Sequence, residues 1–373
     1  MRVLIVNAGS SSLKLRVLDA DDRVSGSADL PAPRGHADES AVGPAIDSFG
    51  PVDAVGHRIV HGGRSFSQPV VIDASVRTRI QALTDLAPLH QPKSLAALDI
   101  VSAALPGIPA VACFDTAFHA TIPPEASTYA LPAEWRERWD LRKYGFHGLS
   151  HAYASRRAAE ILARPLEDLR IVTCHLGAGA SLAAVRAGHS VDTTMGFTPL
   201  DGLVMATRSG SVDPGLVLWL EEHVGLPPAE LAAALEHRSG LLGLGGTADM
   251  RAILARADAG DAEAGVALGV YLHRLRGDIA RMAAAMGGLD VLVFTGGVGE
   301  NSPDVRERAA DGLGFLGVVI DADPDRNGTG DRVVSAPGAA ASSVVVAARE
   351  DLQIAHEVRT LLGAAQGTPQ GAA

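Results

Sequence analysis

Between two apolar runs near the amino end stand Asn7-Ala8-Gly9-Ser10-Ser11-Ser12, with Lys14 just beyond. Three hydroxyls, an amide and an ammonium offer donors, with no carboxylate among them to repel an anion. Gly9 lets the backbone turn and approach a ligand closely. This is the chemistry of a phosphate cradle built on Asn7, Ser10, Ser12 and Lys14; a solvated serine-rich turn is the plain alternative. Arg58 and Arg208 read as loop arginines bordered by glycine (Gly62-Gly63 and Gly210), and a planar guanidinium fork pairs well with phosphate or carboxylate. Taken singly, each fits a surface salt bridge as well. Asp115 ends an apolar run, where it could hold Mg²⁺, which favours one or two carboxylates with phosphate oxygens, or cap the next element of the chain. Gly177-Ala178-Gly179 and Gly296-Gly297-Val298-Gly299 read as two further glycine turns. Together these groups point to phosphoryl chemistry.

The framework for these side chains alternates between strand and helix. Apolar runs predict strands over 3–6 and 13–18, with the first turn between them, then strands over 52–59 and 109–114. Helical stretches come at 78–86 and 94–105, and residues 21–50, rich in Pro, Gly, Asp and Ala, read mostly as loop. Further on come a helix over 150–163, strands over 169–175 and 182–186 flanking Gly177–Gly179, and a strand over 191–195. Helices are expected over 214–223, 229–236, 262–286 and 351–362, a glycine turn at 243–247, and strands over 290–295 and 344–348. Residues 363–373 read as a disordered tail. The strand–turn–strand unit around Gly9 recurs around Gly177, which points to two domains of similar topology.

Other chemistries fit less well. Nothing matches the G-x-x-x-x-G-K-[ST] pattern of a P-loop. Gly177-Ala178-Gly179 lacks the third glycine of a dinucleotide fingerprint and leads into a strand. His147 and His151 have the spacing of a metal pair on a helix, but no Glu stands at the H-E-x-x-H position and Gly148 marks a helix start. The net charge of −11 over 373 residues argues against nucleic acid or anionic lipid as a partner. Cys113 and Cys174 lie in apolar runs and read as two buried thiols of a reducing compartment. No run reaches a membrane span, and Asn7 ends the first apolar run too early for a signal peptide. The expectation is a cytoplasmic protein that binds neither membrane nor nucleic acid.

The motifs, taken in order, resemble those of the acetate kinase family. They are Asn7-Ala-Gly-Ser-Ser-Ser-Leu-Lys14, His57-Arg-Ile-Val-His-Gly-Gly63, Phe114-Asp-Thr-Ala-Phe-His119, Tyr144-Gly-Phe-His-Gly148, Thr207-Arg-Ser-Gly210 and Gly297-Val-Gly-Glu-Asn-Ser302. The resemblance implies an α/β fold of two duplicated actin-like (ribonuclease H-like) domains hinged around a nucleotide cleft. It places an amino-terminal domain at 1–117 plus 352–363 and a carboxy-terminal one at 118–351, the latter with the nucleotide site and a homodimer interface, and then a tail at 364–373. It implies transfer of the ATP γ-phosphoryl group to acetate with Mg²⁺, or Mn²⁺ in its place.

By position, the resemblance implies that Asn7, Arg58, His147 and Arg208 surround the phosphoryl group and the substrate carboxylate, and that Asn7, Asp115 and Glu350 serve the metal. Val60, Leu89, Phe146 and Pro199 would hold the methyl group, with His90 and His175 near the acyl and phosphate ends. Gly177 and Gly179 would face the ATP phosphates, and Asp249, Arg251, Gly297, Val298 and Asn301 the nucleoside. Two positions depart from the family pattern. Ala178 stands where Asn is usual, and Ala348-Arg349-Glu350-Asp351 replaces Thr-Asn-Glu-Glu, adding a positive charge. A propionate or butyrate kinase, or a catalytically silent ATP-binding module, are the alternatives.

Overall fold

The computed structural model describes residues 1–9, 12–32, 38–88 and 90–366. The chain divides into two compact units: Met1–Ala120, Gly148–Tyr153 and the chain from Arg349 onward form one, and Thr121–His147 with Ala154–Ala348 form the other. This division assigns Gly148–Tyr153 and Arg349–Asp351 to the first unit, unlike the sequence-based boundaries.

The first unit is built on a six-stranded sheet of β1 (Val3–Ala8), β2 (Ser12–Leu18), β3 (Val24–Pro31), β4 (Ala54–Ile59), β5 (Val70–Val71) and β6 (Ala110–Phe114), in the order β3-β2-β1-β4-β6-β5. The first three strands form an antiparallel meander, β1, β4 and β6 run parallel, and β5 pairs antiparallel with β6. The second unit carries β7 (Arg170–Leu176), β8 (Ala180–Arg186), β9 (His189–Thr193), β10 (Val291–Thr295), β11 (Arg332–Val333) and β12 (Ser342–Val345), ordered β9-β8-β7-β10-β12-β11. Its pairings repeat the pattern: an antiparallel meander, three parallel strands, and a short antiparallel edge strand that precedes its neighbour in the chain. The repeat read around Gly9 and Gly177 thus extends to a whole sheet, and the fold is a duplicated α/β architecture.

Several elements differ from the sequence-based reading. The stretch read as loop contains β3 and the helix Glu39–Phe49. Residues along β3 alternate in exposure because it is an edge strand. The helix is capped by the Asp38 side chain, which accepts from Ser40 N at 2.9 Å, and Val42 and Ile46 join Leu4, Val6, Leu13 and Leu15 in the core. Its Pro44 and glycine hid an i,i+4 apolar pair. The glycine stretches at 243–247 and 296–302 are largely helical, within Gly240–Gly245 and Gly296–Asn301. The closing helix runs over Glu350–Gln366 and includes four residues read as tail.

That closing helix covers one face of the first sheet, packing Ile354, Ala355 and Val358 on Val3, Ile5, Ala54 and Val111. A Cβ on Gly56 of β4 would stand 2.4 Å from Ile354 Cγ2 and 2.9 Å from Val358 Cγ2. Glycine is therefore what lets the helix settle on the strand, and Glu350 sits in the first turn of that helix. On β4 the side chains alternate, so His57 points away from the face that carries Arg58. Cys113 and Cys174 are free and buried. Among the described residues no helix is long and apolar enough to cross a membrane.

His57 is 1% exposed, and among the described residues neither ring nitrogen has a hydrogen-bond partner. Burial pushes its pKa down to about 4, against a weak upward pull from Asp99. A base whose pKa is depressed on folding stabilises the fold above its unfolded value of about 6.5, and that stability is lost as the pH falls toward the folded value. Between pH 7 and pH 5 the expected loss from His57 is about 2 kcal/mol. Chemical denaturation of wild type and His57→Leu at both pH values should show a correspondingly smaller pH effect in the variant; equal pH effects would refute the assignment.

Candidate functional site

The first unit gathers its charged candidates at the carboxyl ends of three neighbouring parallel strands. This is where open α/β sheets place their ligands. Asn7 lies at the end of β1, Arg58 near the end of β4, and Asp115 directly after β6. Arg58 is thus a strand residue, not a loop residue, and its fixed backbone aims the guanidinium. Nε donates to Asp115 Oδ1 at 3.0 Å and Nη2 to Oδ2 at 2.7 Å. Nη1 donates to Asn7 Oδ1 at 3.3 Å and lies 3.2 Å from Glu350 Oε2, which also accepts from Asn7 Nδ2 at 3.4 Å.

Asp115 is 1% exposed, so it is not a solvent-facing helix cap. Burial pushes its carboxyl pKa up, against the opposing pull of Arg58. Burial likewise disfavours charge on Arg58, yet Asp115 and Glu350 together raise its pKa above the ordinary arginine value. The cluster therefore presents two carboxylates and one amide oxygen around a single cation. Such hard oxygen donors, few in number, fit Mg²⁺ that keeps waters and phosphate oxygens as its other ligands. Asn7, Asp115 and Glu350 are the residues that would hold it.

Around this cluster, Asn7 stands opposite Lys14 in the β1–β2 register, and Gly9 N donates to Ser12 O at 2.9 Å to close the turn. Lys14 is exposed, while Ser12, Val60 and His90 are half-buried. His90 directly precedes the helix Gln91–Ala104. Ser10 and Leu89 lie outside the described residues. Arg349 is held by Asp351 in a two-pronged pair at 2.9 and 2.8 Å, so its added charge is taken up beside the cluster.

The second unit assembles donors. His147 has left-handed backbone (φ 55°) immediately before the helix Gly148–Ile161, a conformation uncommon for residues other than glycine. Because the helix starts after it, His147 and His151 do not share helical turns as a metal pair requires. The His147 ring stacks on His175 with centroids 4.4 Å apart, and its Nδ1 lies 2.9 Å from Ser181 Oγ. When that hydroxyl donates, the neutral ring keeps its proton on Nε2. A Cβ placed on Gly179 would lie 3.5 Å from both His147 Nε2 and Arg208 Nη1. The missing side chain thus leaves a small space flanked by a histidine and an arginine. Burial lowers the Arg208 pKa, with Glu236 opposing the shift, and arginine stays protonated regardless. Phe146 is buried and Pro199 half-buried.

Next to that space, a cavity of about 440 Å³ is lined by Gly177, Ala178, Asp249, Arg251, Tyr271, Gly297, Val298 and Asn301, among others. Gly177 N donates to Gly179 O at 3.0 Å and Ala178 O accepts from Ala206 N at 3.2 Å, so the turn is held by backbone bonds although Ala178 offers no side-chain donor. Asp249 caps the helix Met250–Asp258, accepting from Arg251 N at 2.9 Å, and its carboxylate also receives the Arg251 guanidinium at 2.7 Å. Asn301 Nδ2 donates to Gly297 O at 2.9 Å. Arg306, fully buried, donates to Gly299 O at 2.6 Å and Glu300 O at 3.0 Å and so pins this short helix from behind. Sequence reasoning missed Ser181, Glu236, Tyr271 and Arg306. Ser181 adjoins the second glycine turn and was within reach; the other three depend on packing that no local pattern signals.

Comparison with known proteins gives a consistent result. A sequence model of the acetokinase family matches residues 40–356. The chain is 45% identical to acetate kinase of Leifsonia xyli subsp. xyli over 95% of this chain and 97% of that protein. It is 46% identical to acetate kinase of Shouchella clausii over 84% and 79% respectively. Among solved structures, Porphyromonas gingivalis acetate kinase superposes with a TM-score of 0.89 at 38% identity, covering 97% of this chain and 99% of that one. A propionate kinase from Francisella tularensis superposes with a TM-score of 0.87 at 34% identity, covering 95% and 98%.

The first residue of the helix Gly148–Ile161 is tied to Asp115. Gly148 N donates to Asp115 O at 2.8 Å, and a Cβ there would lie 2.2 Å from that oxygen. Backbone must shift to admit even a methyl group. Gly148→Ala should lower stability by about 1–3 kcal/mol, as overpacking does, and reduce turnover by displacing Asp115. A wild-type melting temperature and rate in that variant would contradict the contact.

Proposed function

The chain belongs to the acetokinase family, and on that basis we propose how its residues carry out the acetate kinase reaction. It transfers the γ-phosphoryl group of ATP to acetate, reversibly, giving acetyl phosphate and ADP. The observation that carries the residue assignment is the Arg58–Asp115–Glu350–Asn7 cluster at the carboxyl ends of β1, β4 and β6.

A carboxylic acid with a pKa of about 4 is already ionised at neutral pH. The nucleophile needs no general base, and Asp115 is assigned an electrostatic role. The difficulty is that a carboxylate must approach a polyanionic phosphate. Positioning and charge neutralisation of an in-line transfer are what the protein has to supply. Arg58 binds the substrate carboxylate and phosphoryl oxygens, and Asn7 donates beside it. Arg208 and the Nε2 proton of His147 stabilise charge on the transferred group. Asn7, Asp115 and Glu350 would hold Mg²⁺, or Mn²⁺, which would supply neutralisation of phosphate charge. His175 orders the His147 ring by stacking. The backbone of Gly177–Gly179 takes the ATP phosphates, with Ser12 and Lys14 as further phosphate donors, and the cavity beside Asp249, Arg251, Gly297, Val298 and Asn301 takes the nucleoside. Val60, Phe146 and Pro199 are assigned to the methyl group, and His90 to the acyl end.

The protein acts in the cytoplasm and works as a homodimer in this reading. Support for the dimer comes from an exposed apolar run on the second unit, comprising Val212, Leu216, Leu218, Trp219 and Val224. Exposed apolar clusters of this kind mark association surfaces.

Incubating the purified chain with Mg-ATP and acetate, and trapping acyl phosphate with hydroxylamine, tests the reaction. Propionate and butyrate run in parallel should react more slowly, since a methylene is worth only about 1–3 kcal/mol of discrimination; a faster longer acid would favour a propionate or butyrate kinase. Arg58→Ala and Arg208→Ala should each lose on the order of 10²–10³ in rate while staying folded, and near wild-type turnover in either would remove it from the mechanism. Light scattering should give a dimer mass for wild type and a shift toward monomer for Trp219→Glu; a monomeric wild type would end the dimer reading.

A further inference from the structure

Arg208 lies in a segment without regular structure, yet its loop is stitched to the end of the helix Pro228–His237. Ser209 N donates to Leu235 O at 3.0 Å and Thr207 Oγ1 to Glu236 O at 2.9 Å. These are last-turn carbonyls, which the helix itself cannot satisfy. Ser239 N returns a bond to Thr207 O at 2.9 Å. Gly240 (φ 63°) closes the arrangement: a Cβ there would lie 2.2 Å from Met205 O and 2.7 Å from Arg208 O. Loop backbone and helix end are therefore one assembly.

The side chains continue it. Glu236 Oε1 lies 3.5 Å from Arg208 Nε, and each side chain is 20% exposed. The other contacts of this guanidinium are long: Nη1 to Pro199 O at 3.4 Å and to Met205 Sδ at 3.9 Å. Nη1 borders the space over Gly179. The carboxylate thus engages the inner nitrogen and leaves the outer end of the fork facing that space. Glu236 is also out of place by local rules, because a negative charge in the last turn of a helix is disfavoured by the helix dipole. Local violations of this kind collect at functional sites.

We propose that Glu236 is a positioning residue that holds the Arg208 guanidinium by its Nε edge, so that the outer nitrogens meet the transferred phosphoryl group. This rests on the role assigned to Arg208 above. Glu236 touches no substrate. Its carboxylate offsets the burial of Arg208 and restricts its rotation, so its effect falls on the transition state and not on substrate affinity.

The test is a double-mutant cycle in the hydroxamate assay, with the full chain as wild type, Glu236→Gln, Glu236→Asp, Arg208→Ala and Arg208→Ala/Glu236→Gln. Glu236→Gln should lower kcat about tenfold, a fraction of what an ångström of misplacement removes. KM for acetate and ATP should stay within about twofold, and the melting temperature should be unchanged. Glu236→Asp, which keeps the charge, should recover part of the loss. In the Arg208→Ala background the Gln substitution should cost nothing further. A kcat within twofold of wild type for Glu236→Gln, or the same loss in both backgrounds, overturns the proposal while leaving Arg208 in place. A near wild-type Arg208→Ala overturns the role of Arg208 and this inference with it.

Discussion

Arg58 and Asp115 form a two-pronged ion pair whose carboxylate is buried and whose guanidinium is half-buried. Taking a carboxylate out of water is costly, and the Arg58 guanidinium offsets that cost for Asp115. Much of the first unit can be understood as the scaffold for this arrangement. The parallel register of β1, β4 and β6 brings Asn7, Arg58 and Asp115 to one end of the sheet. Gly56 lets the closing helix settle close enough for Glu350 to reach the same guanidinium. Gly148 lets another helix begin against the Asp115 backbone. A larger residue at either glycine acts on the cluster from a distance.

The same sheet topology serves different chemistry in the second unit. There the turn after β7 is joined by two histidines and Arg208, hydrogen-bond donors where the first unit's cluster has the carboxylates Asp115 and Glu350. The duplication supplies one geometric device twice, a set of parallel strands whose carboxyl ends project side chains and turns. One copy was fitted with oxygen donors around a cation and the other with hydrogen-bond donors around a glycine. A carboxylate attacking a phosphate needs cations and N–H donors around the transferred group.

Legibility tracked the range of the interactions involved. The long helix Ala262–Met286 has the bounds its apolar period predicts, and the strand–turn–strand units at Gly9 and Gly177 were plain because alternation and glycine are local signals. The segment from 21 to 50 was opaque. Its edge strand shows one face to water and its helix carries Pro44, so composition resembles a loop while pairing with β2 makes it regular. The glycines from Gly296 read as a turn, yet they form a helix that Arg306 secures through a buried guanidinium. That support comes from only six and seven residues along the chain, but residue types alone do not announce that Arg306 turns its side chain inward to those carbonyls.

From the order of residues alone come the family resemblance, the α/β class, the duplicated hairpins and the inventory of Asn, Arg, Asp, His and glycine suited to phosphoryl transfer. These are properties of residue type, spacing and short-range periodicity. Three-dimensional packing was needed to establish that Arg58 stands on a strand, that Asp115 and Glu350 share its guanidinium although they are far apart in the chain, and that Glu236 stands behind Arg208. Which charges neutralise one another depends on strand register and helix seating. Those are set by the packing of the whole core and not by any neighbour along the chain.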